Sequence, residues 1–134
     1  FSFVRLTLGE EPENENSLAH YFLVDVIFMQ DTVRDYLVAR GIDYDKIKGR
    51  TAVLCCRELA KSTIIGSFVP LYMAWKGEWP GFGKVNYGLY VGDSMRNNVK
   101  TTMNTIEQVY LESEWLQTQF ESARFTDELV ELIR

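Results

Sequence analysis

A lysine followed by a hydroxyl residue, Lys61-Ser62, is the pair in this sequence with the clearest potential for chemistry. The short apolar run 52–56 lies before it and reads as a strand buried on both faces. In a phosphate-binding loop, which lies at such a strand-to-helix junction, backbone N–H groups face the anion, a lysine reaches the outer phosphates and a hydroxyl binds Mg²⁺. Apolar residues then recur with helical spacing: Ile64, Ile65, Phe68, Val69, Tyr72 and Met73.

Only half of the general phosphate-loop pattern G-x-x-x-x-G-K-[ST] is present, because Cys55 and Ala60 stand at its two glycine positions. If the loop wraps a phosphate, the backbone conformation of Ala60 costs roughly 1 kcal/mol. Residues 57–61 are also strong helix formers and could simply open an ordinary surface helix. Both interpretations stay open on these residues alone.

Composition predicts one globular domain with a single core. The chain has 134 residues, of which 46% are apolar and 25% charged, and no apolar run approaches the length of a membrane span. The start lacks a signal-peptide layout, and we expect a fragment of a longer protein. A net charge of −5 argues against a broad basic surface, which leaves Arg96 and Lys100 as the local pair to test.

Cysteine and histidine usage predicts reduced thiols and no metal cluster. The two cysteines, Cys55 and Cys56, are adjacent, and neighbours cannot form a relaxed disulfide. His20 is the single histidine, so a Cys/His zinc set is excluded. Thiols packed in a buried strand, in an intracellular setting, are the expected state.

The first fifty residues are predicted to lead into the strand. Residues 1–8 alternate loosely and indicate a strand or the tail of a missing element, and 9–16 are an acidic loop. A helix capped by Ser17 is expected to run to Arg40-Gly41, where glycine ends it. We interpret Asp25 as a helix-face residue. A polar connector, 42–50, follows.

Beyond the first helix, Pro70 is expected to kink or end it, and 77–83 is a loop. In that loop Trp79 and Phe82 either contact a partner or anchor the loop, and anchoring is favoured. A strand over 85–91 and a cap at Gly92-Asp93-Ser94 come next. A second long helix is then predicted from the apolar stripe Val99, Met103, Ile106 and Tyr110, with Met95 and Met103 as core residues. It is expected to break near Ser113, after which Trp115, Leu116 and Phe120 continue the apolar face. A last helix is predicted over 126–133.

The alternation of helices and strands predicts an α/β fold with right-handed crossovers and a parallel sheet. Ligands of such sheets bind at the carboxyl ends of the strands, where both 57–63 and 92–94 fall. This context favours the phosphate interpretation of Lys61-Ser62.

Two stretches resemble the bacteriophage large terminase subunit. The first, Cys55-Cys56-Arg57-Glu58-Leu59-Ala60-Lys61-Ser62-Thr63, is similar to the deviant Walker A loop of that family, which carries an arginine four residues before the lysine. The second, 87–94, leads into a long helix that closes at 112–116. The resemblance covers roughly residues 47–120.

The resemblance implies a P-loop NTPase-type (RecA-like/ASCE) three-layer domain with a parallel sheet, truncated before the Walker B strand. Residues 1–46 would be a helical lead-in and 47–134 the P-loop core, with the nuclease domain absent. Terminases couple ATP hydrolysis to DNA translocation into the procapsid. Because the Walker B acids are missing, we expect this piece to bind ATP and to hydrolyse it poorly.

The same resemblance implies roles for individual residues. Lys61 contacts the β- and γ-phosphates, Ser62 binds Mg²⁺ and Thr63 supports the α-phosphate. Arg57 senses or stabilises the γ-phosphate, so Arg57 and Lys61 are the catalytic candidates. The nucleotide-binding set is Cys56, Arg57, Glu58, Leu59, Ala60, Lys61, Ser62 and Thr63, with Gln30 as a remote candidate for the adenine contact.

The partners implied are double-stranded DNA, the portal protein and the small terminase subunit. A homo-oligomeric ring at the procapsid portal, in the host cell cytoplasm, is the expected setting. Two alternatives stay open: another P-loop NTPase of helicase-like type, or a non-catalytic α/β interaction module in which Lys61 merely starts a helix.

Overall fold

The computed structural model describes residues 2–9, 18–47, 52, 54, 61–80 and 82–134, and of Lys61 only the backbone. The predicted cap Ser17, most of the acidic loop and most of the strand 52–56 lie outside these residues. The described part is mainly helical, with two small antiparallel sheets. It contains no helix that could span a membrane.

The chain begins with a helix, α1 (Ser2–Leu8), where the loose alternation of residues 1–8 had suggested a strand. Phe3 and Thr7, one helical turn apart, are both buried, and the Thr7 hydroxyl donates to the Phe3 carbonyl at 2.8 Å. The expectation of a strand was wrong because a four-residue repeat of inward residues outweighs the short alternation.

The predicted long helix ending at Arg40 is divided into α2 (Leu18–Ile27) and α3 (Asp31–Val38). Met29 stands between them in the left-handed region, with φ of 50°. The break lets the neighbouring Phe28 pack against two aromatic rings elsewhere in the chain. The predicted glycine end is confirmed at Gly41, whose φ is 74°, and a short helix, α4 (Tyr44–Ile47), follows.

The first long helix covers residues 61–76 without interruption. It consists of α5 (Lys61–Thr63), a π-helical turn (Ile64–Phe68) and α6 (Val69–Lys76). Pro70, expected to kink or end the helix, lies in the first turn of α6. The helix continues because proline is tolerated in the first turn of an α-helical segment, and the wide turn before Pro70 places it there.

Gly77 ends the first long helix in a left-handed conformation, with φ of 67° and its N–H bonded to the Met73 carbonyl at 2.7 Å. A Cβ at this position would displace the Arg134 guanidinium, which is the far end of a flexible side chain. Because alanine is strained at this positive φ, we expect Gly77→Ala to lower the free energy of unfolding by about 1 kcal/mol or more.

Urea unfolding measures this effect, and Gly88→Ala is the matched control. A Cβ on Gly88 meets no atom within 4 Å, and its φ is not positive. Equal effects of the two substitutions would contradict the strain at Gly77.

The next segment, 77–94, carries the chain to the start of the next long helix. A small hairpin forms from β1 (Glu78–Trp79) and β2 (Gly83–Lys84). The expected strand over 85–91 is wrong within the described residues, since that stretch is without helix or strand pairing. Its apolar side chains at Tyr87, Leu89 and Val91 are 75–79% exposed.

The second long helix joins a π-helical turn (Met95–Val99) to α7 (Lys100–Glu112). Its predicted apolar stripe is confirmed for Val99, Ile106 and Tyr110, which are buried, and for Met103, which packs against the core. Met95 is 50% exposed and is not a core residue, contrary to expectation. The break near Ser113 is confirmed, because its hydroxyl caps α8 (Glu114–Gln119) by accepting from the Leu116 N–H.

The last element is an antiparallel hairpin, β3 (Ser122–Phe125) with β4 (Val130–Ile133), and the helix expected over 126–133 was wrong. The Thr126 hydroxyl accepts from the N–H groups of Glu128 and Leu129, at 3.3 and 2.9 Å. This arrangement closes a turn with the same side-chain bonds that cap a helix.

One core holds these elements together. Its buried members come from α1, both long helices, α8 and the residue after α8, and they are Phe3, Leu71, Ile106, Tyr110, Leu116 and Phe120. The described residues contain no parallel strand pair. The expectation of a strand buried on both faces over 52–56 is wrong at its two described residues, because Ala52 and Leu54 are exposed, Leu54 fully, and neither belongs to a strand. Since the other residues of this run lie outside the described part of the chain, the P-loop fold class stays a prediction.

Candidate nucleotide site

The candidate site lies where the first long helix is first described. Lys61, Ser62 and Thr63 form its opening turn, and the side chains of Ser62 and Thr63 are exposed. The other predicted loop residues, Cys56, Arg57, Glu58, Leu59 and Ala60, lie outside the described residues. The described part of the site is therefore a helical turn with two hydroxyl groups open to solvent.

The two long helices contact each other through the π-helical turn of the first and α7 of the second. Near their starts, a Cβ built on Gly66 would lie 3.5 Å from Thr102 Cγ2. Near the end of the first helix, Trp75 meets Trp115 of α8 edge to face, with 5.5 Å between ring centroids, and its Nε1 donates to Gln119 Oε1, also on α8, at 3.0 Å. The early turns of the two long helices therefore lie close together.

The start of the second long helix is capped as the sequence predicted. Ser94 is extended, and its hydroxyl accepts from the Asn97 N–H at 3.2 Å. Gly92 lies so close to the helix that an added Cβ would be 3.0 Å from Asn98 Cβ and 3.1 Å from Val99 Cγ2. This close approach brings the turn 92–94 onto the helix start.

A hydrogen-bonded chain joins the extended segment to the early turns of the second long helix. The Tyr90 hydroxyl donates to Asn98 Oδ1 at 2.6 Å and accepts from the Thr102 hydroxyl at 3.2 Å. Thr102 is also the neighbour of Gly66, which connects the chain to the first long helix. These three residues were not predicted as part of the site, since they meet only because the extended segment lies along the second long helix.

The positive charge expected beside the site is partly compensated. Lys100 Nζ lies 2.7 Å from Asp127 Oδ2 in the turn of the last hairpin. Arg96 is exposed one turn before it. Among the described residues no ion pair includes Arg96, so there the pair Arg96 and Lys100 offers a nucleic acid one uncompensated cation rather than two.

Gln30 and Asp25 lie in the N-terminal helices. Gln30 precedes α3, and its Nε2 donates to the Phe28 carbonyl at 3.2 Å. Phe28 packs against Tyr72, which is eleven residues, or about 16 Å of helix, beyond Lys61. Asp25 accepts a hydrogen bond from the Thr32 hydroxyl at 3.3 Å, consistent with the helix-face interpretation.

The described residues contain no group of three or more His, Cys, Asp or Glu side chains placed to hold a metal ion. For Mg²⁺ they offer the Ser62 hydroxyl at the start of the helix, the ligand type that accompanies nucleotide phosphates in P-loop proteins.

Comparisons with protein families, with curated proteins and with solved structures gave no match. The function is therefore argued from the residues and their geometry.

Proposed function

We propose that this chain is the ATP-binding part of a viral DNA-packaging terminase large subunit, in a P-loop NTPase-type domain. In the complete protein, ATP hydrolysis would drive DNA into the procapsid. The observation that carries this proposal is the position of Lys61-Ser62 in the opening described turn of a long helix, with the Ser62 hydroxyl exposed.

The chemistry assigned to the turn follows from its residue types. A helix start provides unpaired N–H groups and a positive dipole end, which favour an anion. The Lys61 ammonium binds the outer phosphates, and the Ser62 hydroxyl is a ligand for Mg²⁺, which draws charge from the γ-phosphate. Thr63 supports the α-phosphate, and Arg57 acts on the γ-phosphate.

Contact between the two long helices near their starts supports the proposal as well. In an α/β domain, consecutive helices on one face of a parallel sheet start at the ligand-binding edge. The close approach of Gly66 to Thr102 is compatible with such an arrangement. The turn at Ser94 caps the start of the second of these helices.

Lys61→Ala is expected to weaken Mg-ATP binding at least tenfold, because it removes the cation that holds the outer phosphates. Isothermal titration of wild type and variant measures the effect. Ser62→Ala is expected to reduce the dependence of ATP binding on Mg²⁺.

Lys46→Ala is the control, since Lys46 is an exposed lysine paired with Asp43 at 3.1 Å, outside the site. ATP binding that is absent in the wild type, or equal in wild type and Lys61→Ala, would leave the interaction-module alternative. Binding that depends on Lys61 supports a P-loop NTPase, and ATP-driven movement of duplex DNA by the complete protein would then separate a terminase from a helicase-like enzyme.

A further inference from the structure

A second surface, at the far end of the first long helix from Lys61, combines aromatic rings with charged groups. It contains an open cavity of about 360 Å³. The residues that line the cavity are Tyr72, Lys76, Glu78, Trp79, Pro80 and Gly83.

One aromatic ring of this surface is anchored and another is presented to solvent. Trp79 packs against Phe28, with ring centroids 5.1 Å apart and planes tilted by 32°. Phe82 is 63% exposed, and its N–H donates to the Trp79 carbonyl at 3.0 Å across the hairpin turn. The anchored tryptophan therefore holds the turn that exposes the phenylalanine.

Three cations surround the same hairpin. Lys76 ends α6, Lys84 pairs in register with Glu78, and the Arg134 guanidinium lies against Gly77. The ion pairs seen among the described residues include neither Lys84 nor Arg134. Glu78 stands opposite Lys84 in the hairpin register, and Lys76 Nζ lies 4.2 Å from the centroid of the Trp75 ring.

We propose that this surface, defined by the cavity with Phe82, Lys84 and Arg134, binds single-stranded nucleic acid. Unpaired bases of any sequence stack on aromatic side chains, while cations contact the phosphates. Trp79 and Tyr72 hold one base in the cavity, and Phe82 stacks on a neighbouring base. This surface shares no residue with the proposed ATP site.

The proposal is tested by fluorescence anisotropy with a labelled 16-nucleotide oligothymidine and a duplex of equal length, in the absence of nucleotide. Wild type is expected to bind the single strand more tightly than the duplex, because a duplex keeps its bases stacked inside. Phe82→Ala and the double variant Lys84→Ala/Arg134→Ala are each expected to weaken single-strand binding about tenfold. The double variant should also reduce the salt slope by about 1.4.

Two controls have matched exposure: Phe22→Ala on α2, where Phe22 is 54% exposed, and Lys46→Ala on α4. Thermal melts establish that all variants stay folded. Loss of affinity in the surface variants only, with Lys61→Ala binding the strand as wild type does, supports the proposal even if ATP binding fails. Equal binding by surface variants and controls, tighter duplex binding, or binding of mononucleotides without preference for a strand would each overturn it.

Discussion

Leu71→Ala is expected to lower the free energy of unfolding by about 3 kcal/mol. Leu71 has no exposed surface and belongs to the core cluster with Ile106 and Tyr110 of the second long helix. Truncation removes the buried isobutyl group and leaves a cavity, because contacts of the first long helix with Thr102 and with Trp115 and Gln119 of α8 hold the surrounding elements in place. Urea unfolding followed by circular dichroism measures the change, and we expect the melting temperature to fall by about 10 °C.

Leu111→Ala is the matched control, since Leu111 is 59% exposed on α7. A substitution at such a position is expected to change the free energy of unfolding by less than about 0.5 kcal/mol. If both leucine variants unfold at the wild-type urea concentration, Leu71 is not buried in the core cluster.

Leu71 also marks a limit of sequence reading in the first long helix. The predicted stripe ran through Phe68, Val69 and Tyr72 and omitted Leu71, which is one of the two most buried large side chains. A π-helical turn at Ile64–Phe68 adds a residue to the turn and rotates everything beyond it. A stripe counted with the α-helical period therefore loses its phase after this turn.

The second long helix was predictable where short-range chemistry decides its limits. Ser94 and Ser113 each cap the residues that follow with a hydroxyl bonded to an N–H three residues on. The stripe of the second helix through Ile106 and Tyr110 follows α7, which has no such irregularity. The capping hydroxyls and the spacing of the apolar stripe thus indicated the same helix, and the prediction of the second long helix was confirmed.

The last hairpin was mistaken because one local signal fits two structures. Thr126 followed by two acids is typical of a helix start, and the same hydroxyl bonds close a β-turn here. The deciding evidence is the alternation of inward residues, Phe125, Val130 and Leu132, which pack against the core. That alternation is too short to outweigh the capping signal in a sequence.

The candidate site was predictable only in part. Lys61, Ser62 and Thr63 were expected at a helix start from their types and spacing. By contrast, the bonds of Tyr90 to Asn98 and Thr102 join residues 8 and 12 apart and need the extended segment to lie along the helix. Nothing in the local sequence around Tyr90 distinguishes it from the neighbouring exposed aromatic Tyr87.

Phe3→Ala is expected to lower the free energy of unfolding by about 3–4 kcal/mol. The Phe3 ring is 7% exposed and contacts three others, with centroid distances of 5.3 Å to Tyr72, 5.6 Å to Trp75 and 5.7 Å to Trp115. The pairs with Tyr72 and Trp115 are edge-to-face, and such pairs add stability beyond the area they bury. Through these contacts α1 joins the first long helix to α8, so loss of the ring affects both.

Tryptophan emission provides a second readout for Phe3→Ala, because two of its ring partners are tryptophans. The variant should show emission shifted to longer wavelength as water reaches Trp75 and Trp115. Leu8→Ala, at a position 51% exposed on the same helix, should change neither emission nor unfolding. If Phe3→Ala unfolds at the wild-type urea concentration with unchanged emission, α1 does not pack on this cluster, and the core must be formed by residues 61–134 alone.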